Sequence, residues 1–529
     1  MRVAGLVRIR TANVKVCHLG NILRRPLSDG RCDCLCDIGQ LITFDMLPDD
    51  ILITMFDFYV DKDIDDDLFY MDEDTGEDLK KQKTEEWMTL VHVCRRWRSL
   101  VFQSPRRLNL RLVCTHVTRV KDTLDIWPPL PLIIHDIEDS ETSDVENTIA
   151  ALEHNDRICQ IALNCSYSEM EYLTDSAAIL KPFPELKHLE LGTNGGDGPI
   201  LPDSFLGGTA QRLRSLDLYR ISFPGLPKLL LSATRLVNLN LHDTPHSGSG
   251  YIPPEAMATG LAALISLEYI CLYFGYQRPA QESRRLPQRP QTRSILPSLT
   301  KIRFERADEY LEEFLARIDA PRLNGLRITF STQSIHDTPQ LFQFISRTPT
   351  LRAPKKGHIA FSFASIVVKF PLQTTDLGVL SVKIPSMTTS EWRVSRLEQV
   401  CTLSLPPVST LEDLYIVESP FTRRCRLGDV ENMLWLRLLH PFSAVKNLYL
   451  CKKFVPRIAP ALGELVGART TEVLPALENL FLEGLQTSGP SHVGIEQLVS
   501  ARRPTGHPVA VSCWDKDSEW KRQVEIYHL

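Results

Sequence analysis

The sequence predicts an α/β protein in which a short helical module precedes a solenoid of repeating units that share one curved parallel sheet. Two observations lead to this fold class. Apolar residues recur at helical spacing between residues 45 and 106, and a six-residue apolar pattern recurs from residue 158 almost to the C-terminus. A length of 529 residues would ordinarily suggest about three to four domains, but repeats add length without adding independent cores.

Composition limits the kinds of partner that the protein binds. Sixty Lys and Arg residues stand against 65 Asp and Glu residues, a net charge of -5, which argues against a general nucleic-acid binder. No run of 18 apolar residues occurs, so no membrane partner is expected. The 13 cysteines are odd in number and scattered, with Cys94, Cys159 and Cys451 inside apolar stretches. This usage is typical of reduced thiols and predicts a cytoplasmic or nuclear location, or both.

Residues 1–44 differ from the rest and are predicted to be a disordered or irregular extension. Their opening is rich in Arg and poor in acids, but it lacks the amphipathic pattern and the serines of an organelle-targeting peptide. Cys32, Cys34 and Cys36 are separated by single residues, whereas structural zinc sites prefer two to four residues between paired cysteines. No metal site is therefore predicted. An incorrectly defined chain start is an alternative that the residues leave open.

Residues 45–106 are predicted to form the helical module. Pro48 suits a first helical turn, and Asp49 and Asp50 lie where the helix dipole favours negative charge. Two apolar stripes follow at steps of three or four residues. These are Leu47, Ile51, Met55 and Tyr59, with Leu52 and Phe56 beside them, and then Trp87, Leu90, Val91, Cys94, Trp97 and Val101. Between them lies an insertion, 61–86, with 12 acids against four lysines, which predicts a solvated loop.

Two short motifs in this module resemble an F-box. They are Leu47-Pro48-x-x-Ile51-Leu52 and Val91-x-Val93-Cys94-Arg95-x-Trp97, and the wider chain from residue 45 to 515 is similar to a large family of fungal F-box-domain proteins. The resemblance implies a three-helix unit that docks on the Skp adaptor of cullin-RING ubiquitin ligases. It implies adaptor contacts at Leu47, Pro48, Ile51, Leu52, Val93, Cys94 and Trp97. The acidic insertion departs from the family pattern and leaves adaptor binding open.

The rest of the chain, 107–515, repeats the pattern apolar-x-x-apolar-x-apolar and ends in a tail, 516–529. Clear copies are Leu186-Leu189-Leu191, Leu213-Leu216-Leu218, Leu236-Leu239-Leu241 and Leu477-Leu480-Leu482. Most intervals are 23 to 34 residues, which resembles an irregular leucine-rich-repeat array. One interval of 54 residues predicts a hidden unit, with Ile359, Phe361 and Phe363 as its strand. Ordinary α/β units of another fold are the alternative.

Side chains alternate across a strand, so the residue between the last two apolar positions points away from the core. These outward residues are the predicted target-binding positions: Glu190, Asp217, Asn240, Arg303, Arg327, Tyr415, Tyr449 and Phe481. The series changes from acidic to basic to aromatic along the chain. Because aromatic and Arg side chains commonly anchor protein interfaces, the C-terminal half is the predicted docking region.

No motif of a catalytic or cofactor-binding protein accompanies these patterns. The sequence lacks a phosphate-binding G-x-x-x-x-G-K-[ST] loop, a G-x-S-x-G nucleophile elbow and an H-E-x-x-H zinc helix. We therefore predict a protein without enzymatic activity and without a cofactor. The leading hypothesis is the substrate receptor of an SCF-type ubiquitin ligase, which binds the Skp adaptor and an unknown target protein. The alternatives are a ligase-independent interaction scaffold and a degenerate family member.

Overall fold

The structure is a computed structural model. It describes residues 47–60, 86–104, 108, 110–114, 120, 124, 129–135, 145–194, 198–244, 251–274, 292–307, 309–330, 338–372, 378–385, 390–419, 430–484 and 490–514. The predicted N-terminal extension, the acidic insertion up to residue 85 and the predicted tail lie outside the described residues.

Three helices form the N-terminal unit: α1 (Asp49–Val60), α2 (Glu86–Val93) and α3 (Arg95–Gln103). Their core contains Leu52, Phe56, Trp87 and Val101. Leu108, Leu110 and Leu130, from the start of the following segment, complete the same cluster. The helical unit therefore packs on the beginning of the sheet through shared apolar side chains.

One sheet of 16 strands dominates the described residues. Its strands are β1 (Leu112–Cys114), β2 (Leu132–His135), β3 (Ile158–Ser166), β4 (His188–Asn194), β5 (Ser215–Tyr219), β6 (Asn238–Thr244), β7 (Tyr269–Phe274), β9 (Lys301–Ala307), β11 (Gly325–Phe330), β12 (Lys356–Phe361), β13 (Ser365–Pro371), β14 (Val379–Pro385), β15 (Asp413–Glu418), β16 (Asn447–Leu450), β17 (Asn479–Glu483) and β18 (Ala510–Trp514). Two short strands, β8 (Ser294–Ile295) and β10 (Ile318–Asp319), pair separately.

Helices connect the strands, as parallel neighbours require. They are α4 (Val145–Leu152), α5 (Tyr167–Asp175), α6 (Leu226–Leu230), α7 (Pro254–Leu261), α8 (Glu309–Arg317), α9 (Pro339–Arg347), α10 (Ser390–Leu403), α11 (Asn432–Leu439), α12 (Val455–Gly463) and α13 (Pro490–Arg502). Short 3-10 helices occupy Phe205–Gly208, Pro406–Thr410, Gly467–Arg469 and Arg503–Thr505. None of the described helices has both the length and the apolar content needed to cross a bilayer.

The repeated apolar triplets form the core between the sheet and these helices. Leu189 and Leu191 of β4 and Leu216 and Leu218 of β5 are buried, and the same cluster continues to Leu482 of β17. No single repeat could bury such a face alone, so each strand is stabilised by its neighbours. The result is a mixed α/β fold with a large, mostly parallel sheet, consistent with a repeat solenoid.

The sheet departs from the predicted fully parallel arrangement at one place. Its strand order runs β9-β11-β14-β13-β12-β15, and β13 is antiparallel to both β12 and β14. The 54-residue interval thus adds two strands, β12 and β13, where the sequence predicted one hidden unit. With β14 they form a three-stranded antiparallel block. Ile359 and Phe361 are buried in β12 as predicted, but Phe363 is 53% exposed in the turn to β13. The prediction that Phe363 belongs to this strand was wrong, because β12 ends at Phe361.

Candidate protein-interaction surfaces

The helical unit exposes apolar side chains on one face of α1. Ile51, Met55, Phe58 and Tyr59 are all exposed, Phe58 by 73%. Steps of three and four residues place them side by side on a helix. Val93, at the end of α2, is exposed by 56%. Exposed apolar residues grouped in this way indicate an interaction surface more than isolated ones do. We call Ile51, Met55, Phe58, Tyr59 and Val93 the apolar helical face.

The predicted adaptor contacts divide into three groups by exposure. Pro48, Ile51 and Val93 are exposed, and Leu47, Cys94 and Trp97 are partly buried. Leu52 has 0% exposure and belongs to the core of the helical unit, so its side chain is not on the surface. Sequence periodicity did not single out Phe58, because it falls outside the four-residue series.

Side-chain contacts join the three helices to one another and to the sheet. Arg96 of α3 forms an ion pair with Asp49 of α1 at 2.6 Å. The thiol of Cys94 accepts a hydrogen bond from the backbone N–H of Trp97 at 3.5 Å, which caps α3. The Trp97 ring packs against Phe56 with 4.7 Å between ring centroids. Trp87 Nε1 donates to the carbonyl oxygen of Arg111 at 2.8 Å, and this bond ties α2 to the start of the sheet.

The second surface is the face of the sheet that points away from the helices, here called the open face. The strand register places all eight predicted target-binding residues in one row across it. In spatial order this central row contains His135, Ala162, Glu190, Asp217, Asn240, Cys271, Arg303, Arg327, Ser381, Lys369, His358, Tyr415, Tyr449, Phe481 and Ser512. The eight predicted residues therefore lie on neighbouring strands of one surface.

Seven members of this row were not predicted. Ala162, Cys271 and Ser381 occupy the outward position of recognised triplets but have small side chains, and His135 and Ser512 lie outside the recognised triplets. His358 and Lys369 lie in the three-stranded block. There, Pro354, Gly357 and Ile359 take the triplet positions of β12, which pairs with the triplet of β15. A Cβ on Gly357 would lie 2.7 Å from Leu411 Cδ1, so Leu411 fills the space that a leucine would take.

At the acidic end of the central row, side chains on two adjacent strands form hydrogen bonds around Asp217. Asp217 accepts a hydrogen bond from Ser215 Oγ at 2.9 Å and another from the side-chain amide of Asn240 on the next strand. Burial raises the pKa of Asp217, while these two hydrogen bonds act in the opposite direction. Asp217 thus accepts two hydrogen bonds within the sheet, which leaves less of its capacity for a partner.

The middle of the row combines a buried thiol with an arginine. Cys271 has 0% exposure, and burial raises the pKa of its thiol to about 11. The neighbouring Arg303 donates from Nε to Glu305 Oε1 at 2.9 Å, and both side chains are partly exposed. A protonated, inaccessible thiol is a poor nucleophile, so Cys271 acts as a packing residue.

The C-terminal part of the row is a ladder of stacked rings. Ring centroids are 4.5 Å apart between His358 and Tyr415, 4.1 Å between Tyr415 and Tyr449, and 4.5 Å between Tyr449 and Phe481. The interplanar angles are 12° or less. Trp514 meets the Tyr415 and Tyr449 rings edge-on. Tyr415 is only 3% exposed, so Tyr449 and Phe481 present more of the ladder to solvent.

His358 begins this ladder and is almost completely buried. Burial, and then the positive charges of Lys356 and Lys369, lower the pKa of His358 to about 3. Its imidazole is therefore neutral near pH 7. Among the described residues, no group of three or more His, Cys, Asp or Glu side chains is arranged to hold a metal ion.

Comparisons with known proteins add little to this description. No protein-family model matches the chain, and no curated protein matches it. Among solved structures, the leucine-rich-repeat-containing protein LegL7 from Legionella pneumophila matches with 14% sequence identity and a TM-score of 0.24. That match covers 73% of this chain and 97% of LegL7. The fold class therefore rests on the strands and register described above.

Proposed function

We propose that this protein is the substrate receptor of an SCF-type ubiquitin ligase. The helical unit would bind the Skp adaptor, and the open face of the sheet would bind the target protein. The observation that carries this proposal is the apolar helical face, which lies beside Pro48 in the segment whose motifs resemble an F-box. A small helical unit gains little from exposing Ile51, Met55 and Phe58 to water unless a partner covers them.

The open face supports the second half of the proposal. It is a long surface made of adjacent strands, and its exposed side chains vary in charge and aromaticity from strand to strand. Such a surface suits recognition of another macromolecule better than of a small molecule, which needs an enclosed cavity. The protein then carries out no chemistry itself. It raises the effective concentration of the target near the catalytic subunits.

A binding experiment with the purified Skp adaptor tests the adaptor half. We expect the full chain to capture the adaptor. Ile51→Asp and Val93→Asp should each weaken capture by about tenfold or more, since each places a charge in an apolar contact. Asp57→Asn is the matched control, because Asp57 is exposed on α1 and is not three or four residues from any member of the apolar helical face. It should bind as the wild type does.

Two results would count against ligase membership. One is the absence of adaptor capture by the wild-type chain, and the other is equal capture by the Ile51, Val93 and Asp57 variants. Trp97→Ala and Pro48→Ala extend the series. Because Trp97 packs on Phe56, its variant needs a circular-dichroism spectrum to show that the helices persist.

The scaffold alternative rests on the acidic insertion, 61–86, which holds 12 acids and four lysines. In this case the sheet would tether partners without a ligase. A chain that lacks residues 62–84 discriminates the two functions. Adaptor capture by the shortened chain alone would indicate that the insertion prevents docking, and capture by neither chain would favour the scaffold.

A further inference from the structure

Charge is segregated along the sheet. The strands β9, β11, β12, β13 and β14 carry seven Lys and Arg residues and one acid, Glu305. The strands β3 to β6 carry three acids and no Lys or Arg. The strands β15 to β18 again carry three acids and no Lys or Arg. A cationic zone thus lies between two anionic ones on the same sheet.

Six of the basic residues lie on the open face, by alternation along their strands. We call them the basic patch: Lys301, Arg303, Arg327, Lys356, Lys369 and Lys383. Arg303 and Arg327 are direct partners in the parallel register of β9 and β11. Ser381 separates Arg327 from Lys369 in the central row. The stem of Lys301 leans over Gly325, 3.1 Å from where a Cβ would be.

The patch has little neutralising charge of its own. Glu305 is engaged with Arg303. Among the described residues, no carboxylate lies within ion-pair distance of Lys301, Arg327, Lys356 or Lys383, and all four side chains are exposed. Like charges directly opposite each other on adjacent strands destabilise a sheet. The positive charges of Arg303 and Arg327 therefore repel each other, and the negative charge of a bound partner would offset this repulsion.

We infer that the basic patch binds an acidic segment of the target protein, with carboxylate or phosphoryl groups over Arg327 and Lys383. This inference rests on the proposed function of the open face as a target-binding surface. From β9 to β12 the patch spans four strand spacings, about 19 Å at ~4.8 Å each. That is the length of about six residues of an extended chain. Glu190 and Asp217 on one side, and Asp413 on the other, repel negative charge and confine the segment to the patch.

The test is fluorescence anisotropy with the full chain and a labelled synthetic peptide. The probe has glutamate at alternate positions over about six residues, long enough to cross the patch. A second probe has phosphoserine in place of glutamate, and a third has lysine. We expect the first two to bind and the third not to bind. Affinity should fall as salt rises, because the contacts are exposed charges. The relative affinity of the first two probes identifies the preferred anion.

A charge-reversal pair makes the test specific for this surface. Arg327→Glu with Lys383→Glu should weaken binding of the anionic probes by about tenfold or more. Lys228→Glu with Arg235→Glu changes the net charge equally at exposed positions outside the open face, and it should bind as the wild type does. Equal loss in both double variants, or no preference for anionic over lysine probes, would overturn the inference.

Adaptor capture, measured on the same samples, separates this inference from the proposed function. Charge reversal at Arg327 and Lys383 should leave adaptor capture unchanged, since the helical unit is untouched. Capture of the adaptor without selective binding of the anionic probes would refute only the recognition of acidic segments. Selective peptide binding without adaptor capture would refute only ligase membership.

Discussion

Arg502 of α13 and Leu474, in the turn before β17, are joined by a hydrogen bond from Arg502 Nη2 to the Leu474 carbonyl oxygen at 2.9 Å. The same nitrogen donates to the carbonyl oxygen of Val473 at 2.7 Å. Leu474 has φ of 50°, a left-handed conformation that costs a residue with a side chain about 1–2 kcal/mol. The buried guanidinium therefore stabilises an otherwise unfavourable turn.

Arg502→Ala should lower the free energy of unfolding by about 1–3 kcal/mol, because buried carbonyl oxygens lose their donor. Arg502→Lys should rescue only part of this, since an ammonium lacks the planar fork that reaches several acceptors. Urea unfolding provides the measurement. Arg503→Ala is the control at an exposed neighbouring position. A lysine variant as stable as the wild type would show that the fork is dispensable.

Tyr415→Ala should be among the more destabilising substitutions on the open face, by about 3–5 kcal/mol. Tyr415 stacks between His358 and Tyr449 and meets Trp514, so truncation leaves a cavity inside the ladder. Tyr415→Phe keeps the ring and should remain within about 1 kcal/mol of the wild type. The urea midpoints of the three proteins test this. Similar midpoints for the Ala and Phe variants would mean that the stack contributes little.

Because His358 is buried, the free energy of unfolding should depend on pH. The pKa of His358 is about 3 in the folded chain against a usual value of 6.5, so between these values the unfolded chain binds a proton that the folded chain does not. Stability from this group is therefore lost as pH falls below 6.5, by about 2 kcal/mol between pH 7 and pH 5. His358→Phe keeps a ring in the stack and removes the titration. Unfolding at the two pH values should show a smaller acid loss in this variant than in the wild type.

The matched control for this measurement is His507→Phe, because His507 is exposed. It should lose as much stability on acidification as the wild type. If His358→Phe also lost that full amount, the buried imidazole would not be the source of the pH dependence.

Gly494→Ala should destabilise the contact between α12 and α13. A Cβ on Gly494 would lie 2.5 Å from the Ala459 carbonyl oxygen, and one on Gly463 would lie 2.8 Å from Gly494 Cα. We expect a loss of about 1–3 kcal/mol from overpacking, larger than the ~1 kcal/mol that alanine gains in a helix. Thermal unfolding measures it, with Ser500→Ala at an exposed position on α13 as the control. A higher melting temperature for Gly494→Ala would contradict the close approach.

Much of the sheet could be predicted from periodicity. The triplets of β4, β5 and β6 are buried, and Glu190, Asp217 and Asn240 adjoin each other in the register. This succeeded because alternation along a strand is a local property, and because repeats of similar length stack in register.

Strand order in the three-stranded block could not be predicted in the same way. The triplet positions of β12 hold Pro354 and Gly357 in place of leucines, so the pattern is hidden. The position of β13 between β12 and β14 depends on contacts between distant residues, which the local pattern does not encode.

The apolar helical face illustrates a different limit. The series Leu47, Ile51, Met55 and Tyr59 predicted an apolar stripe, yet Leu52, Ile53 and Phe56 form the core of α1, and Ile51 and Met55 are exposed. Two adjacent apolar stripes have the same periodicity. Periodicity alone therefore does not identify which of them faces the core.

The antiparallel β13 has a consequence for how the polypeptide acquires its shape during synthesis. Up to β11, each newly made strand can dock directly on the one made before it, apart from the small β8–β10 pair. β12, however, emerges before β13 and β14, the two strands that separate it from β11 in the finished sheet. The free edge of β11 therefore stays unpaired until β14 has been made. The strands β12, β13 and β14 join the sheet as one block, and addition of single strands from the N-terminus stops at β11.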